Sequence, residues 1–138
     1  RQNTVFGEGD PGSNIMIIGE APGREEDEVG RPFVGRAGKL LNEFLKSINL
    51  NRDSVFIVNT IKCRPPENRN PEASEISACS DYLDQQINII KPKVLVLLGK
   101  IAANRLLGED MPMSELRLKK FFIILSNFFF PLFVIWKT

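Results

Sequence analysis

Histidine is absent from all 138 residues, cysteine occurs twice, and tryptophan and tyrosine once each. Without an imidazole, this stretch of chain holds no Ser-His-Asp triad, no histidine zinc ligand and no histidine acid–base group. Two thiols, Cys63 and Cys79, are too few for a self-contained zinc or iron–sulfur site. The chain reads as intracellular, so a stable disulfide between them is not expected. The plain reading is one half-buried thiol and one helix thiol. A leader-like apolar run is missing as well: the chain opens on Arg1-Gln-Asn-Thr4, and no secretory signal is expected. Nor is there an excess of one charge. The net charge is +1, but residues Arg117 to Thr138 carry four bases and no acid, which leaves 14 bases against 17 acids, a net −3, in the body. A net-acidic body excludes broad electrostatic wrapping of nucleic acid, so any such contact must run through a local patch.

What is present is a core. Hydrophobic residues make up 43% of the chain, and the length fits one domain of ordinary size, residues 1–138. Three short apolar runs, Asn14 to Ile18, Val55 to Val58 and Val94 to Leu98, read as buried strands. Between them, Leu40, Leu41, Phe44, Leu45 and Ile48 recur at helical spacing and predict an amphipathic helix over 37–48. Asn70 as cap and Pro71 in the first turn predict a second helix running to about Ile90, with Pro92 beyond its end. A third helix follows Gly99 to about Leu107, and Arg24 to Glu28 suits a short one. Gly30 to Gly35 and Arg64 to Asn70 read as loops. Continuous apolar strands alternating with helices predict a three-layer α/β/α domain on a mainly parallel four-stranded sheet. Gly19, Glu20, Asn59 and Gly99 then fall at the carboxyl ends of strands, where such sheets bind ligands. From Leu118 the chain turns aromatic, with six Phe and one Trp. Ser126, Asn127 and Pro131 interrupt it too often for a membrane span, and a final strand over Leu132 to Trp136 is the expectation.

Two short motifs lose against plainer readings. Gly7-Glu-Gly-Asp-Pro-Gly12 fits G-x-G-x-x-G, but a dinucleotide loop needs its strand before the glycines, and here the strand comes after. A surface turn is the expectation. Cys63 to Arg69 fits the C-x5-R phosphate loop of cysteine phosphatases. That loop works through consecutive backbone N–H groups, and Pro65 and Pro66 have none, so the fit is poor despite the spacing and the reading stands only as the alternative enzyme.

The informative pattern is long. Gly19-Glu-Ala-Pro-Gly23 is followed by Glu26-Asp27, Gly30-Arg-Pro-Phe-Val-Gly35, Ala37-Gly38 and Leu40-Leu41. Asn59-Thr-Ile-Lys-Cys-Arg-Pro-Pro66, Asn68-Arg69, Pro71, Glu75 and Cys79 come next, then Leu98-Gly99 and Ala102-Ala103. This series resembles the iron–sulfur uracil-DNA glycosylases of bacteria and archaea (family 4) and the related segment of a phage DNA polymerase. The resemblance covers about residues 1–117. It implies a base-excision repair hydrolase that cuts the N-glycosidic bond of uracil in DNA, working as a cytoplasmic monomer with no membrane partner.

The resemblance also implies roles. Phe33 would stack the extruded base, and Asn59 would read its edge, since one amide offers both the donor and the acceptor that uracil needs. The plainer readings are a core aromatic and a strand-end cap. Glu20 would stabilise positive charge on the sugar or orient water, with Gly19 and Ala21 beside it. Glu26 would lie near the C5 edge of the base, or else be a solvated charge in the acidic run. Cys63 and Cys79 match two of the four ligands of a [4Fe–4S] cluster, whose role would be structural. The family carries the other two in a C-x-x-C ahead of the point matching Arg1, and a His-Pro after its last strand. Neither occurs in these 138 residues, and Lys137 stands near the second position. The expectation is a functional unit incomplete at both ends, assembling little cluster alone and cleaving slowly. The rival expectation is a non-catalytic DNA-binding or polymerase-associated module of the same fold.

Overall fold

The computed structural model describes residues 2–107, 120–125 and 128–135. Among these residues, six strands form one sheet: β1 (Glu8–Gly9), β2 (Ile15–Gly19), β3 (Phe56–Asn59), β4 (Val94–Leu98), β5 (Lys120–Leu125) and β6 (Phe128–Ile135). Their order is β1-β3-β2-β4-β6-β5. The middle four are mutually parallel. The edge strands β1 and β5 run antiparallel to their neighbours. The helices are α1 (Arg24–Val29), α2 (Arg36–Ser47), α3 (Ala73–Ile90) and α4 (Lys100–Leu107).

Alternate residues of β2, β3 and β4 enter opposite faces, and both faces are covered, which is why these strands carry no polar alternation. On one face Met16, Ile18, Val58, Leu95 and Leu97 pack with Leu83 and Ile87 of α3 and Ala102, Ala103 and Leu106 of α4. On the other, Ile17, Ile57 and Val96 pack with Leu41 and Leu45 of α2. The result is the expected three-layer α/β/α arrangement around a parallel four-stranded core.

Several details differ from expectation. The α3 helix is capped by Glu72, not Asn70, because Glu72 and Glu75 complete a reciprocal capping box two residues later. The G-x-G-x-x-G stretch is more than a turn: Glu8 and Gly9 pair with Ile57 and Phe56 at the sheet edge. The aromatic tail forms a hairpin of two strands, with β6 starting four residues before the expected strand. Trp136, Arg117 and Lys137 lie outside the described residues. Of the apolar stripe on α2, only Leu41 and Leu45 are buried, while Leu40, Phe44 and Ile48 stay exposed. The apolar arc of the helix is wider than the sheet beneath it, and the overhang meets a cavity.

Candidate functional site

That cavity has a volume of about 460 Å³ and sits at the carboxyl ends of β2, β3 and β4. Glu20 and Ala21 follow β2, Asn59 ends β3, and Leu98 with Gly99 ends β4. Glu26 of α1 and Phe33 of the α1–α2 connection line the near side, and Ala37, Leu40, Leu41 and Phe44 of α2 form an apolar wall. Glu20, Ala21, Glu26, Phe33 and Asn59 are thus brought together.

Gly19 does not line the cavity. It lies behind it, buried, and serves as a support. A Cβ there would run into Phe33 Cζ and lie 2.6 Å from Asn59 Oδ1. The aromatic ring and the amide therefore both rest on one bare Cα. The carbonyl of Gly19 accepts from the backbone N–H (2.9 Å) and from Oγ1 (2.9 Å) of Thr60, which locks the ends of β2 and β3 in register.

Asn59 is 2% exposed, yet no hydrogen bond engages its side-chain amide among the described residues. No buried side-chain polar atom is unsatisfied there either, so the amide faces the cavity. Its main chain is held from behind. Lys62, 1% exposed, donates to the Asn59 carbonyl (2.7 Å) and to Gln86 Oε1 of α3 (2.6 Å). Burial depresses the Lys62 ammonium from 10.5 to about 8. Glu20 is shifted the other way for the same reason: partial burial raises its carboxyl above the ordinary 4.5. A half-desolvated carboxylate beside an uncommitted amide and an aromatic ring is a pocket for a flat polar molecule.

Phe33 adopts a left-handed backbone, with φ at 51°. The neighbouring α2 backbone comes so close that a Cβ on Gly38 would overlap the Phe33 carbonyl. From the other side Arg52 donates to the carbonyls of Phe33 (2.9 Å) and Pro32 (2.6 Å). Arg52 pairs in turn with Glu8, which also takes two bonds from Arg31 at 2.8 and 3.0 Å.

Against known families, a model described as the Uracil DNA glycosylase superfamily matches residues 6–135. The chain belongs to that superfamily. It is 61% identical over 101 residues to the Type-4 uracil-DNA glycosylase of Sulfurisphaera tokodaii, covering 72% of this chain and 46% of that one. The Type-4 uracil-DNA glycosylase of Pyrobaculum aerophilum is 53% identical over 107 residues, covering 78% and 55%. A DNA polymerase of Bacillus phage SP01 is 29% identical over 127 residues, 91% of this chain and 14% of the polymerase. The chain spans about half the length of the curated glycosylases it matches.

Elsewhere in this superfamily domain, the two cysteines are half-buried and in no disulfide. Cys63 Sγ lies 4.0 Å from Thr4 Oγ1, and Cys79 is within electrostatic reach of Lys62. The segment 4–6 is fastened near Cys63 and to α3: the Val5 amide donates to the Lys62 carbonyl, and Gln86 donates to the Phe6 carbonyl. As cluster ligands they fit in kind and not in number. Among the described residues no group of three or more Cys, His, Asp or Glu is placed to hold a metal ion. The C-x5-R reading does not survive. Arg69 is tied to Glu75 (2.6 Å), and the Asn68 and Arg69 amides bond the Pro65 and Pro66 carbonyls. Among the basic residues that could form a local phosphate-binding patch, Arg24, Arg31 and Arg69 are held by Glu28, Glu8 and Glu75. Arg64 bonds Asn68 Oδ1. Arg36 and Lys39 of α2 are exposed and in no ion pair among the described residues.

Residue patterning gave no site role to four contributors: Glu8, Arg52, Thr60 and Lys62. Asp27, quoted in the motif without a role, is 2% exposed, accepts the Gln2 (2.8 Å) and Asn3 (3.0 Å) amides and fixes α1. Those N–H donors, from Asn3 first and then Gln2, hold its carboxyl below the ordinary range.

Proposed function

We propose that the protein excises uracil from DNA by hydrolysing its N-glycosidic bond. The observation that carries this reading is the convergence of Glu20, Phe33 and Asn59 on one cavity. Phe33 is the stacking platform. Asn59 presents donor and acceptor to the base edge, with Ala21 and Glu26 bounding the pocket and Gly19 setting its depth. Leaving-group departure builds positive charge on the sugar, and ionised Glu20 opposes it or orients the attacking water. Arg36 and Lys39, at the α2 rim, meet backbone phosphates. Cys63 and Cys79 would hold one side of a four-iron cluster. When bound, the cluster supplies structural cross-linking between the loop behind Asn59 and α3. We expect excision by these 138 residues alone to be slow, since they include no imidazole for the departing uracil anion. A cytoplasmic monomer acting on DNA, without a membrane, completes the reading. Among the described residues no helix is long and apolar enough to cross a membrane.

A second reading, a DNA-binding module of the same fold without chemistry, draws on the similarity to the phage polymerase. One experiment separates the two. The purified protein is mixed in excess with a uracil-containing single-stranded oligonucleotide, and both binding and free uracil are followed. Release that is lost in Glu20→Gln supports the glycosylase. Its acid limb should lie above 4.5, because burial raises the Glu20 carboxyl and only the ionised form works. Uracil-selective binding without release supports the module. Neither binding nor release sinks both.

A further inference from the structure

We propose that Arg52, backed by Glu8, is the positioning residue that holds the Phe33 platform in its stacking pose. The inference rests on the uracil reading of the pocket and adds to it the device that keeps the platform in place.

Phe33 sits in a connection, not in a helix or strand, so no ladder of hydrogen bonds fixes it. Its left-handed φ of 51° is unfavourable for a residue with a Cβ and persists only where the surroundings impose it. The surroundings here are specific. One nitrogen of the Arg52 guanidinium meets the Phe33 carbonyl at 2.9 Å, and the other meets the Pro32 carbonyl at 2.6 Å. Two consecutive carbonyls are turned toward one planar fork, a geometry that an ammonium cannot match. The same guanidinium bonds Glu8 Oε1 through Nε at 3.2 Å and through Nη2.

The clamp is built on rigid parts. Glu8 lies in β1, in register with Ile57 of β3. Arg52 lies in a tight turn, where Asn51 accepts from the Ser54 amide (3.1 Å) and its side chain accepts from Asp53 (2.8 Å). Arg31, two residues before Phe33, takes the other side of Glu8. The Phe33 connection is therefore gripped from the sheet edge at residues 31, 32 and 33. The Arg52 and Glu8 side chains are only 18% and 24% exposed, so water screens the pair incompletely. Neither side chain lines the cavity. Arg52 touches the backbone that carries the ring, and Glu8 touches Arg52.

The test is a thermodynamic cycle on the binding of a uracil oligonucleotide and on single-turnover release. The variants are Arg52→Met, Phe33→Ala and the double variant, with Arg52→Lys and Glu8→Gln as milder cuts should Arg52→Met fold poorly. Arg52→Met is expected to weaken binding about tenfold and Phe33→Ala by at least as much, since base stacking on an aromatic ring carries an effect of that order. The double variant should be no worse than Phe33→Ala alone. Arg52→Lys should recover little, and Glu8→Gln should fall between wild type and Arg52→Met. If the losses of Arg52→Met and Phe33→Ala multiply, Arg52 acts elsewhere and the proposal is overturned while the platform reading stands. If Phe33→Ala binds and releases as wild type does, the platform reading fails and the positioning role fails with it.

Discussion

The two ends of the pocket are held by opposite means. Asn59 closes a central strand. Its position comes from the β2–β3 ladder, the Thr60 bonds to Gly19 and the buried Lys62 amine. Phe33 stands in a connection and is held from outside by Arg52, Glu8 and Arg31, all partly open to water. For Lys62, the depressed pKa corresponds to a burial cost on the order of 3 kcal/mol. Two hydrogen bonds from an ammonium return about as much, so Lys62 fixes geometry more than it adds stability. The difference teaches where each element is vulnerable. The strand-end group is tied into the same bonds as the fold and should fail only with it. The loop group depends on a few charges and should fail while the fold stands.

The strongest way to break this contrast is at the point the two ends share. Gly19→Ala should push the Phe33 ring or the Asn59 amide out of place, because the added methyl has no room beside either. Uracil release should fall about a hundredfold or more, as expected for a misplacement of about 1 Å. Overpacking should cost only about 1–3 kcal/mol in urea melts. Unchanged release would show that ring and amide do not depend on that support. A smaller effect is expected at the outer clamp. The bonds from Arg31 first, and from Arg52, keep the Glu8 carboxyl below 4.5. Its contribution is therefore present above that value and lost as pH falls through its folded pKa. Glu8→Gln should cost about 1–2 kcal/mol near neutral pH and almost nothing at a pH below that folded pKa. Denaturant titrations at both pH values check this, and an equal deficit at both would refute the electrostatic account. The smallest effect belongs to the strand end. Thr60→Val removes one of two bonds to the Gly19 carbonyl. It should cost about 1 kcal/mol and leave release within about threefold. A large loss of release with intact stability would mean that the strand end is as delicate as the loop.

Much of this was legible in the residues, and the rest was not for definite reasons. The strands β2, β3 and β4 announce themselves because both faces are covered and nearly every position before the strand ends is apolar. Five of the six named pocket residues lie on the lining because they stand at or just after strand ends, in α1 or in the loop between α1 and α2. The sixth, Gly19, lies behind the lining, and only the absence of its side chain matters. Leu40 and Phe44 looked like core because helical spacing does not reveal how much of an apolar arc the sheet will cover. Glu8 and Arg52 could not be paired in advance. They are 44 residues apart, and β1 is a two-residue edge strand with no pattern of its own. The start of α3 moved because two glutamates cap it better than the Asn-Pro step before them.

Gly19 gives the pocket a common datum. A gauge keeps its opening when both jaws are mounted on one post, since any shift of the post carries the two together. Phe33 and Asn59 are mounted in that way. Thermal motion of the sheet edge should therefore displace the ring and the amide in concert and leave the gap between them nearly constant. A pocket whose ring and amide move together keeps its calibre while the frame around it breathes.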